Sequence, residues 1–261
     1  MGIHIGTLFI PYYGLLIVIG LAVGVLAGYI QTRLYGLEFD DFILLACFTG
    51  LGAVVGAKLL YLAVSWKDID FTRLTDPEYI NLLMNGGFVF YGGLIGGLAG
   101  IFLGGRIVKV QVMRYAQICI PCIPIVHAFG RFGCAAAGCC YGIPYDGIGA
   151  VVYTESLIAP EHVSLFPVQA LEAVLNLMLA AALFLYVHKK KGKELKSLEI
   201  YLGVYAVIRF ILEFFRYDDS ERGILLGVST SQWISVGLIA AVLIVLIQEH
   251  RVKTGHCAGR L

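Results

Sequence analysis

The sequence predicts an all-α integral membrane protein with about seven transmembrane helices, an outside N-terminus, a cytoplasmic C-terminus and a small extracytoplasmic cap. Of its 261 residues, 59% are hydrophobic and only 14% are charged, whereas about a quarter of the residues in soluble domains are charged. The apolar residues are gathered in segments of roughly the 20 residues that a spanning helix needs. Basic residues are unequally shared between the connections, and this inequality indicates the orientation.

The whole chain, 1–261, is interpreted as a single membrane-embedded catalytic domain. Its seven apolar segments are 10–31, 42–65, 87–104, 112–130, 166–187, 198–216 and 231–248. Residues 1–10 contain no Lys or Arg, so the positively charged start of a signal peptide is missing. We therefore expect the first apolar segment to remain in the protein.

The third segment is short and unusually rich in glycine. Gly92, Gly96, Gly100 and Gly104 recur every four residues, which places them on one face of a helix. Small residues at this spacing let a neighbouring membrane helix approach closely. The pattern predicts tight helix packing. It also predicts that Tyr91, just before the first of these glycines, lies near the bundle centre.

Lys and Arg are enriched in the cytoplasmic connections of membrane proteins. Eleven of them, Arg260 included, fall in one set of connections: 32–41, 105–111, 188–197 and 249–261. Four of them, Arg222 included, fall in the other set: the N-terminus, 66–86, 131–165 and 217–230. The first set is therefore predicted to be cytoplasmic. The longest outer connection, 131–165, is predicted to form the cap.

Three arginines are predicted to lie near the outer membrane level. Arg209, Glu213 and Arg216 are spaced by four and three residues and share one helix face. Arg131 follows the fourth segment, four residues after His127. A buried ion pair, or snorkelling to headgroups, explains each residue alone. All three together favour a bound anion, and arginine matches phosphate oxygens with a bidentate fork, so a phospholipid headgroup is the expected ligand.

Other polar residues are predicted at the same level. Tyr13 opens the first segment and Tyr91 the third, and an interfacial belt of aromatic residues explains a lone tyrosine. Gln169 and Glu172 lie at the start of the fifth segment. The helix dipole alone explains Glu172, and a polar cluster with the arginines is the alternative.

The cysteines suggest a metal site at first sight. Cys119 and Cys122 form a C-x-x-C, and Cys134, Cys139 and Cys140 follow, which is spacing seen in zinc and iron–sulfur sites. The C-x-x-C, however, lies within an apolar segment, where cysteine often behaves as a small hydrophobe. We expect no metal. Cys134, Cys139 and Cys140 could instead form a disulfide or act as redox-sensitive thiols.

Five motifs, in order along nearly the whole chain, resemble the prolipoprotein diacylglyceryl transferase family of the bacterial cytoplasmic membrane. They are YYGLL from Tyr12, GGFVFYGGLIGG from Gly86, GRFG from Gly130, FPVQALEA from Phe166 and RFILEFFR from Arg209.

GRFG resembles the start of the family signature Gly-Arg-x-Gly-Asn-x-x-Asn-Gly-Glu. The positions that match its arginine and glycine framework are Gly130, Arg131, Gly133, Gly138 and Gly142. The polar positions depart from it. Cys134 and Ala137 stand where the signature has Asn, Cys139 stands where it has Glu, and Tyr91 stands where many members carry His.

The resemblance implies that the diacylglyceryl group of phosphatidylglycerol moves to the lipobox cysteine of prolipoprotein signal peptides. The reaction occurs at the extracytoplasmic side of the bacterial inner membrane, forms a thioether and releases glycerol phosphate. Arg131 and Arg209 would stabilise the departing phosphate, and His127, Tyr91 and Glu213 are the candidates for accepting the thiol proton. Phosphatidylglycerol contacts are expected at Arg131, Tyr13, Gly130, Gly133, Gly142, Arg216, Gln169 and Glu172.

No metal or organic cofactor is expected, and the expected partners are membrane lipids and the two substrates, without nucleic acid. The chain is expected to be a monomer. Two other functions stay open: an anion transporter, and a lipid-binding protein of the same fold without transferase activity. A metal or redox membrane protein is the third alternative.

Overall fold

The computed structural model describes residues 2–6, 8–87, 89–156, 158–217, 224–225 and 227–258. Arg222 and Arg260, two of the basic residues used to predict the orientation, lie outside these ranges. The chain divides into two compact units, one formed by residues 1–31 with 117–261 and the other by residues 32–116.

Helices make up most of the described chain. In chain order they are α1 (Tyr12–Tyr35), α2 (Phe39–Val64), α3 (Pro77–Asn85), α4 (Phe90–Val108), α5 (Val112–Cys119), α6 (Cys122–Ala137), α7 (Val168–Lys189), α8 (Ser197–Leu212) and α9 (Thr230–Ala258). Six short strands form three antiparallel hairpins. They are β1 (Gly2–Ile5) with β2 (Leu8–Pro11), β3 (Val151–Val152) with β4 (Ser164–Leu165), and β5 (Ile224–Leu225) with β6 (Val228–Ser229).

Several of these helices suit a lipid environment. Within the described residues, α1, α2, α4, α7 and α9 are long and apolar enough to cross a membrane, and the bent pair α5–α6 brings the number to six. Many of their Leu, Val and Ile side chains are exposed, as expected of surfaces that contact lipid. α8 has only 16 residues, fewer than the roughly 20 that a span needs. Each of the seven predicted segments thus contains a helix or a bent pair, but the lengths support five or six spans.

The sequence predicts one helix over 112–130, and this prediction is wrong in two respects. First, α5 and α6 are separate helices whose axes differ by 55°. Pro121 lies between them and has no amide hydrogen to continue the helix, although proline is well tolerated at a helix start. Second, α6 continues to Ala137, so Arg131 lies inside a helix and not in the cap. Gly138, at φ 71°, ends α6 in the left-handed conformation, where glycine is favoured.

The predicted cap therefore begins after α6. Residues 138–156 and 158–167 contain β3 and β4 and have a small core of their own. Tyr153, Ala159 and Leu165 are buried together in it. The phenol of Tyr153 donates a hydrogen bond of 3.0 Å to the carbonyl of Ala135 in α6. Burial raises the pKa of Tyr153, so the phenol keeps the proton that it donates.

In the second unit, α2 packs closely against α4 through glycine. A Cβ added to Gly96 would lie 2.9 Å from the Cα of Gly56 and still closer to the carbonyl oxygen of Gly52. Gly92, Gly100 and Gly104 contact α2 in the same way: Gly92 meets Gly56, and the other two meet Phe48. The predicted face of close-packing glycines is confirmed.

Lys58 lies buried in α2 and serves a structural purpose that the sequence does not indicate. Its Nζ donates hydrogen bonds to the backbone carbonyls of Leu83 and Gly86, and the distance from Nζ to the Gly86 oxygen is 2.6 Å. These carbonyls belong to the C-terminal turn of α3 and the residue after it, which have no partners within the helix. Lys58 therefore caps α3.

Candidate functional site

The candidate site lies in the first unit and begins on α6. His127 and Arg131 are one turn apart on this helix, so their side chains share a face. Gly133 lets α6 approach the start of α1, because a Cβ there would lie 3.1 Å from Cδ2 of the Tyr13 ring. The Arg131 side chain is 15% exposed and that of His127 is 27% exposed.

Glu172, in the first turns of α7, is the centre of the site. Its carboxylate is 2% exposed and lies 3.1 Å from Nε of Arg131, measured from Oε2. The same oxygen is 3.8 Å from Nη1 of Arg209. Oε1 is 3.8 Å from Nε2 of His127. One buried carboxylate thus contacts cationic or titratable side chains from α6 and α8.

The other charged residues come from the end of α8. Oε2 of Glu213 lies 2.7 Å from Nη2 of Arg209 and 3.9 Å from Nη1 of Arg216. α8 ends at Leu212 and tightens into a single 3₁₀ turn, which leaves Arg216 in extended backbone. Arg209 also donates to Oγ of Ser231 in α9, at 3.2 Å. The side chains predicted to share a face are therefore brought together, although Arg216 is no longer helical.

The five charged side chains form one continuous network, running from Arg131 through Glu172, Arg209 and Glu213 to Arg216. Three guanidinium groups and two carboxylates carry a formal net charge of +1. All five side chains are at most 15% exposed. Cations held in a weakly solvated environment attract anions more strongly than cations in water do. The network is suited to a phosphodiester, whose single negative charge would balance it.

Two residues of the site are absent from the sequence prediction. The hydroxyl of Tyr205 lies 3.5 Å from Nε2 of His127, and the two ring centroids are 4.9 Å apart. Tyr205 precedes Arg209 by four residues, so the helical spacing that identified Glu213 also points to it. Asn176, fully buried on α7, donates a hydrogen bond of 2.9 Å from Nδ2 to the backbone carbonyl of Glu172. No sequence pattern distinguishes Asn176 from an ordinary buried amide.

The predicted lipid contacts fall into different places. Tyr13 is 43% exposed beside Gly133, and Gly130 has open space where a Cβ would be. Gly142 brings the chain against the Arg216 segment, because a Cβ there would lie 3.0 Å from the carbonyl oxygen of Phe215. Gln169 contacts the segment after α6. Its Nε2 donates 2.9 Å to the carbonyl of Cys139 and lies 3.4 Å from the Tyr153 hydroxyl, so it holds the segment after α6.

Tyr91 belongs to the second unit. It occupies the first turn of α4, is half-buried, and is followed directly by Gly92, which packs against α2. Its part in the chemistry stays a prediction.

The thiols of the first unit fall into two groups. Cys119 and Cys122 are buried in the two arms of the bent pair α5–α6. Cys134, Cys139 and Cys140 come together beyond them, with their Sγ atoms within 4.8 Å of one another. All six cysteines whose side chains the structure describes are free thiols.

Comparisons with known proteins find matches that span most of the chain. Residues 1–248 match the sequence model of a family described as prolipoprotein diacylglyceryl transferase. A phosphatidylglycerol–prolipoprotein diacylglyceryl transferase 2 of Clostridium perfringens is 32% identical over 253 residues, covering 95% of this chain and 96% of the relative. The corresponding transferase of Clostridium tetani is 34% identical over 86% of this chain and 87% of its own. That of Idiomarina loihiensis is 29% identical over 94% of this chain and 91% of its own.

Proposed function

Since the chain belongs to the prolipoprotein diacylglyceryl transferase family, we propose that it transfers the diacylglyceryl group of phosphatidylglycerol to prolipoproteins. The acceptor is the thiol of the lipobox cysteine in the signal peptide. The products are a thioether-linked lipid and glycerol phosphate. The protein is a multi-pass membrane enzyme, and we place its reaction at the extracytoplasmic side of the bacterial inner membrane. The excess of basic residues in the connections predicted to be cytoplasmic supports this side.

The observation that carries this proposal is the buried network centred on Glu172. Arg131 and Arg209 both contact its carboxylate, from two different helices. Charged groups within membrane segments are costly and usually serve function. In this protein they would hold the phosphate of a lipid whose acyl chains remain in the apolar surroundings of the helices.

The chemistry requires cations at the leaving group. The thiolate sulfur attacks the carbon of the diacylglyceryl unit that is bonded to the phosphate oxygen. A C–S bond forms as this C–O bond breaks. The phosphate changes from a diester with one negative charge to a monoester that gains a second. Arg131 and Arg209 lie where fixed cations can stabilise this developing charge. Glu172 and Glu213 keep both guanidinium groups oriented, and Arg216 supplies a further headgroup contact.

A proton must leave the attacking thiol, because the thiolate is the nucleophile. Among the predicted acceptors, Glu213 is 2.7 Å from Arg209, and we assign its carboxylate to orienting that guanidinium group. Histidine is the side chain most often used as a general base in enzymes, and His127 is placed by contacts with Glu172 and Tyr205. We assign proton acceptance to His127. The proton then passes to the released glycerol phosphate, which balances the reaction.

The experiment that tests the proposal combines purified protein, phosphatidylglycerol and a synthetic lipobox peptide. Mass spectrometry should find a gain of one diacylglyceryl unit on the peptide. A peptide with serine in place of the lipobox cysteine should gain nothing. Arg131→Ala and Arg209→Ala should abolish the gain, whereas Arg73→Ala, at an exposed ion pair of the second unit, should leave it unchanged. Wild-type protein that is folded but inert, and that fails to complement a transferase-deficient strain, would contradict the proposal.

A further inference from the structure

Three thiols converge at the end of α6. Cys134 lies in its last turn, and Cys139 and Cys140 follow the terminal Gly138. Their three Sγ atoms lie within 4.8 Å of one another. Within the described parts of the chain this is the one group of three or more Cys, His, Asp or Glu side chains close enough to share a metal ion.

The backbone turn that gathers the thiols is specific. Gly138 adopts φ 71°, and two residues later Cys140 adopts φ 56°. Residues with a side chain seldom occupy this left-handed region, and such conformations concentrate at binding sites. The turn also lets the amide of Cys139 donate a hydrogen bond of 3.1 Å to the carbonyl of Cys134. As a result the chain reverses direction and brings the last two thiols back to the first.

Contacts on both sides hold this turn in place. Gln169 of α7 donates 2.9 Å to the carbonyl of Cys139. Beyond the turn, the amide of Ile143 donates 2.9 Å to the carbonyl of Phe215, and the amide of Tyr217 donates 3.1 Å to the carbonyl of Tyr141. The thiols are thus mounted between α6, α7 and the Arg216 segment, so their positions are set before any ligand arrives.

We propose that Cys134, Cys139 and Cys140 bind one thiophilic d¹⁰ metal ion, Zn²⁺ or Cu⁺. In tetrahedral or trigonal geometry, three thiolates at metal–sulfur distances of about 2.3 Å have sulfurs roughly 3.8–4.0 Å apart. Small side-chain rotations would bring the three Sγ atoms, now within 4.8 Å of one another, to these distances. Soft thiolate ligands select these ions over Mg²⁺ and Ca²⁺. The three thiol protons pass to solvent as the metal binds.

The charges around the cluster fit the occupied site. Zn²⁺ with three thiolates carries a net charge of −1, and Cu⁺ with three thiolates carries −2. Arg216 and Arg131 both act electrostatically on the Cys140 thiol, so their positive charges offset this excess. The bound metal would also pin the turn that leads from Arg131 to Gly142, next to Arg216. The sequence analysis predicted no metal here, because the convergence of the three thiols depends on the two left-handed residues.

Cadmium titration of the full-length protein in detergent tests the proposal without relying on transferase activity. Protein is reduced, freed of metal with a chelator, and titrated with Cd²⁺, whose thiolate complexes absorb in the ultraviolet. One equivalent should saturate the absorption, and Zn²⁺ and Cu⁺ should displace Cd²⁺ in separate competition arms, whose relative potency distinguishes the two ions. Elemental analysis of protein purified without chelator should find the native ion.

Matched cysteine variants locate the binding. Cys134→Ser and Cys139→Ser should each lower the Cd²⁺ affinity by at least about 100-fold, since each removes one of three ligands. Cys119→Ser and Cys122→Ser, which remove buried thiols elsewhere in the bent pair α5–α6, should bind Cd²⁺ as the wild type does. Circular dichroism and gel filtration verify that every variant is folded.

Three results would overturn the metal site. The first is a folded wild-type protein that shows no saturable absorption with Cd²⁺. The second is binding that survives Cys134→Ser and disappears with Cys119→Ser. The third is a purified protein whose mass lacks two hydrogens at this cluster and that binds no Cd²⁺ after full reduction, which would mark the thiols as a disulfide pair.

Discussion

Glu172, on α7, contacts charged or titratable side chains from two other helices, α6 and α8, through one carboxylate. It lies within 3.8 Å of Arg131, Arg209 and His127 while being almost completely buried. Removing one partner of a buried ion pair is costly, because the remaining charge stays uncompensated. The positions of Arg131 and Arg209, the arginines that we propose to bind phosphate, therefore depend on this residue.

Replacing Glu172 by Gln should lower the transfer rate by about 10²–10³-fold, since the arginines lose the charge that orients them for the leaving group. The same variant should lose about 3–5 kcal/mol of stability, measured by thermal unfolding. Glu161→Gln, an exposed carboxylate of the segment after α6, serves as the control. A Glu172→Gln enzyme with the wild-type rate would contradict the role assigned to this carboxylate.

His127 is the residue to which we assign proton acceptance. His127→Asn should lower kcat by about 10²-fold, the typical contribution of a general base, and leave KM nearly unchanged. His162→Asn is a suitable control, because His162 is exposed at φ 59° and Asn tolerates that conformation. If kcat of His127→Asn matches that of the wild type, the proton leaves by another route and Tyr91 becomes the next candidate to test.

At the scale of single residues, the sequence indicated most of the site. Arg209, Glu213 and Arg216 were recognisable because their spacing is local and a helix turns it directly into proximity. The contacts of Glu172 with Arg131 and Arg209 are different, since they join residues far apart in the chain. Spacing alone left the helix dipole as a sufficient explanation for Glu172, and only tertiary packing decides between the two.

Among the elements, the pair α2 and α4 makes the sharpest structural prediction. Gly96 faces α2 so closely that an added Cβ would collide with its backbone, whereas a Cβ on the next residue, Gly97, would sit 3.5 Å from Ala53 in ordinary contact. Gly96→Ala should therefore lower stability by about 1–3 kcal/mol, the usual cost of overpacking. Gly97→Ala should be nearly neutral. Thermal unfolding in detergent compares them, and equal melting temperatures would argue against the glycine contact.

The elements also show where sequence patterns fail. Apolar length located the segments that hold every described helix except α3, because a membrane span needs a long apolar run and little else. It could not locate the bend at Pro121, because a straight helix and a broken helix of the same composition have the same apolar length. It also missed α3, whose nine residues are too short to span and whose end depends on Lys58 from another helix.

For the whole molecule, the distribution of Lys and Arg predicts the orientation. An epitope inserted after Gly147 should be accessible to antibody on cells whose outer membrane is absent or permeabilised. An epitope inserted after Gly192, within the basic connection between α7 and α8, should become accessible only after the cytoplasmic membrane is opened. The reverse pattern would place the candidate site on the cytoplasmic side and contradict the proposed access for signal peptides.

The central claim is that Arg131 and Arg209 hold the phosphate of phosphatidylglycerol while a peptide thiol displaces it. The most direct measurement quantifies both products in one reaction: thioether-linked peptide by mass spectrometry and glycerol phosphate by phosphorus NMR. We expect the two products to form in equal amounts with the wild type, and both to be absent from reactions with Arg131→Ala and Arg209→Ala. Glycerol phosphate released without lipidated peptide, or lipidated peptide formed at the wild-type rate by either variant, would contradict this claim.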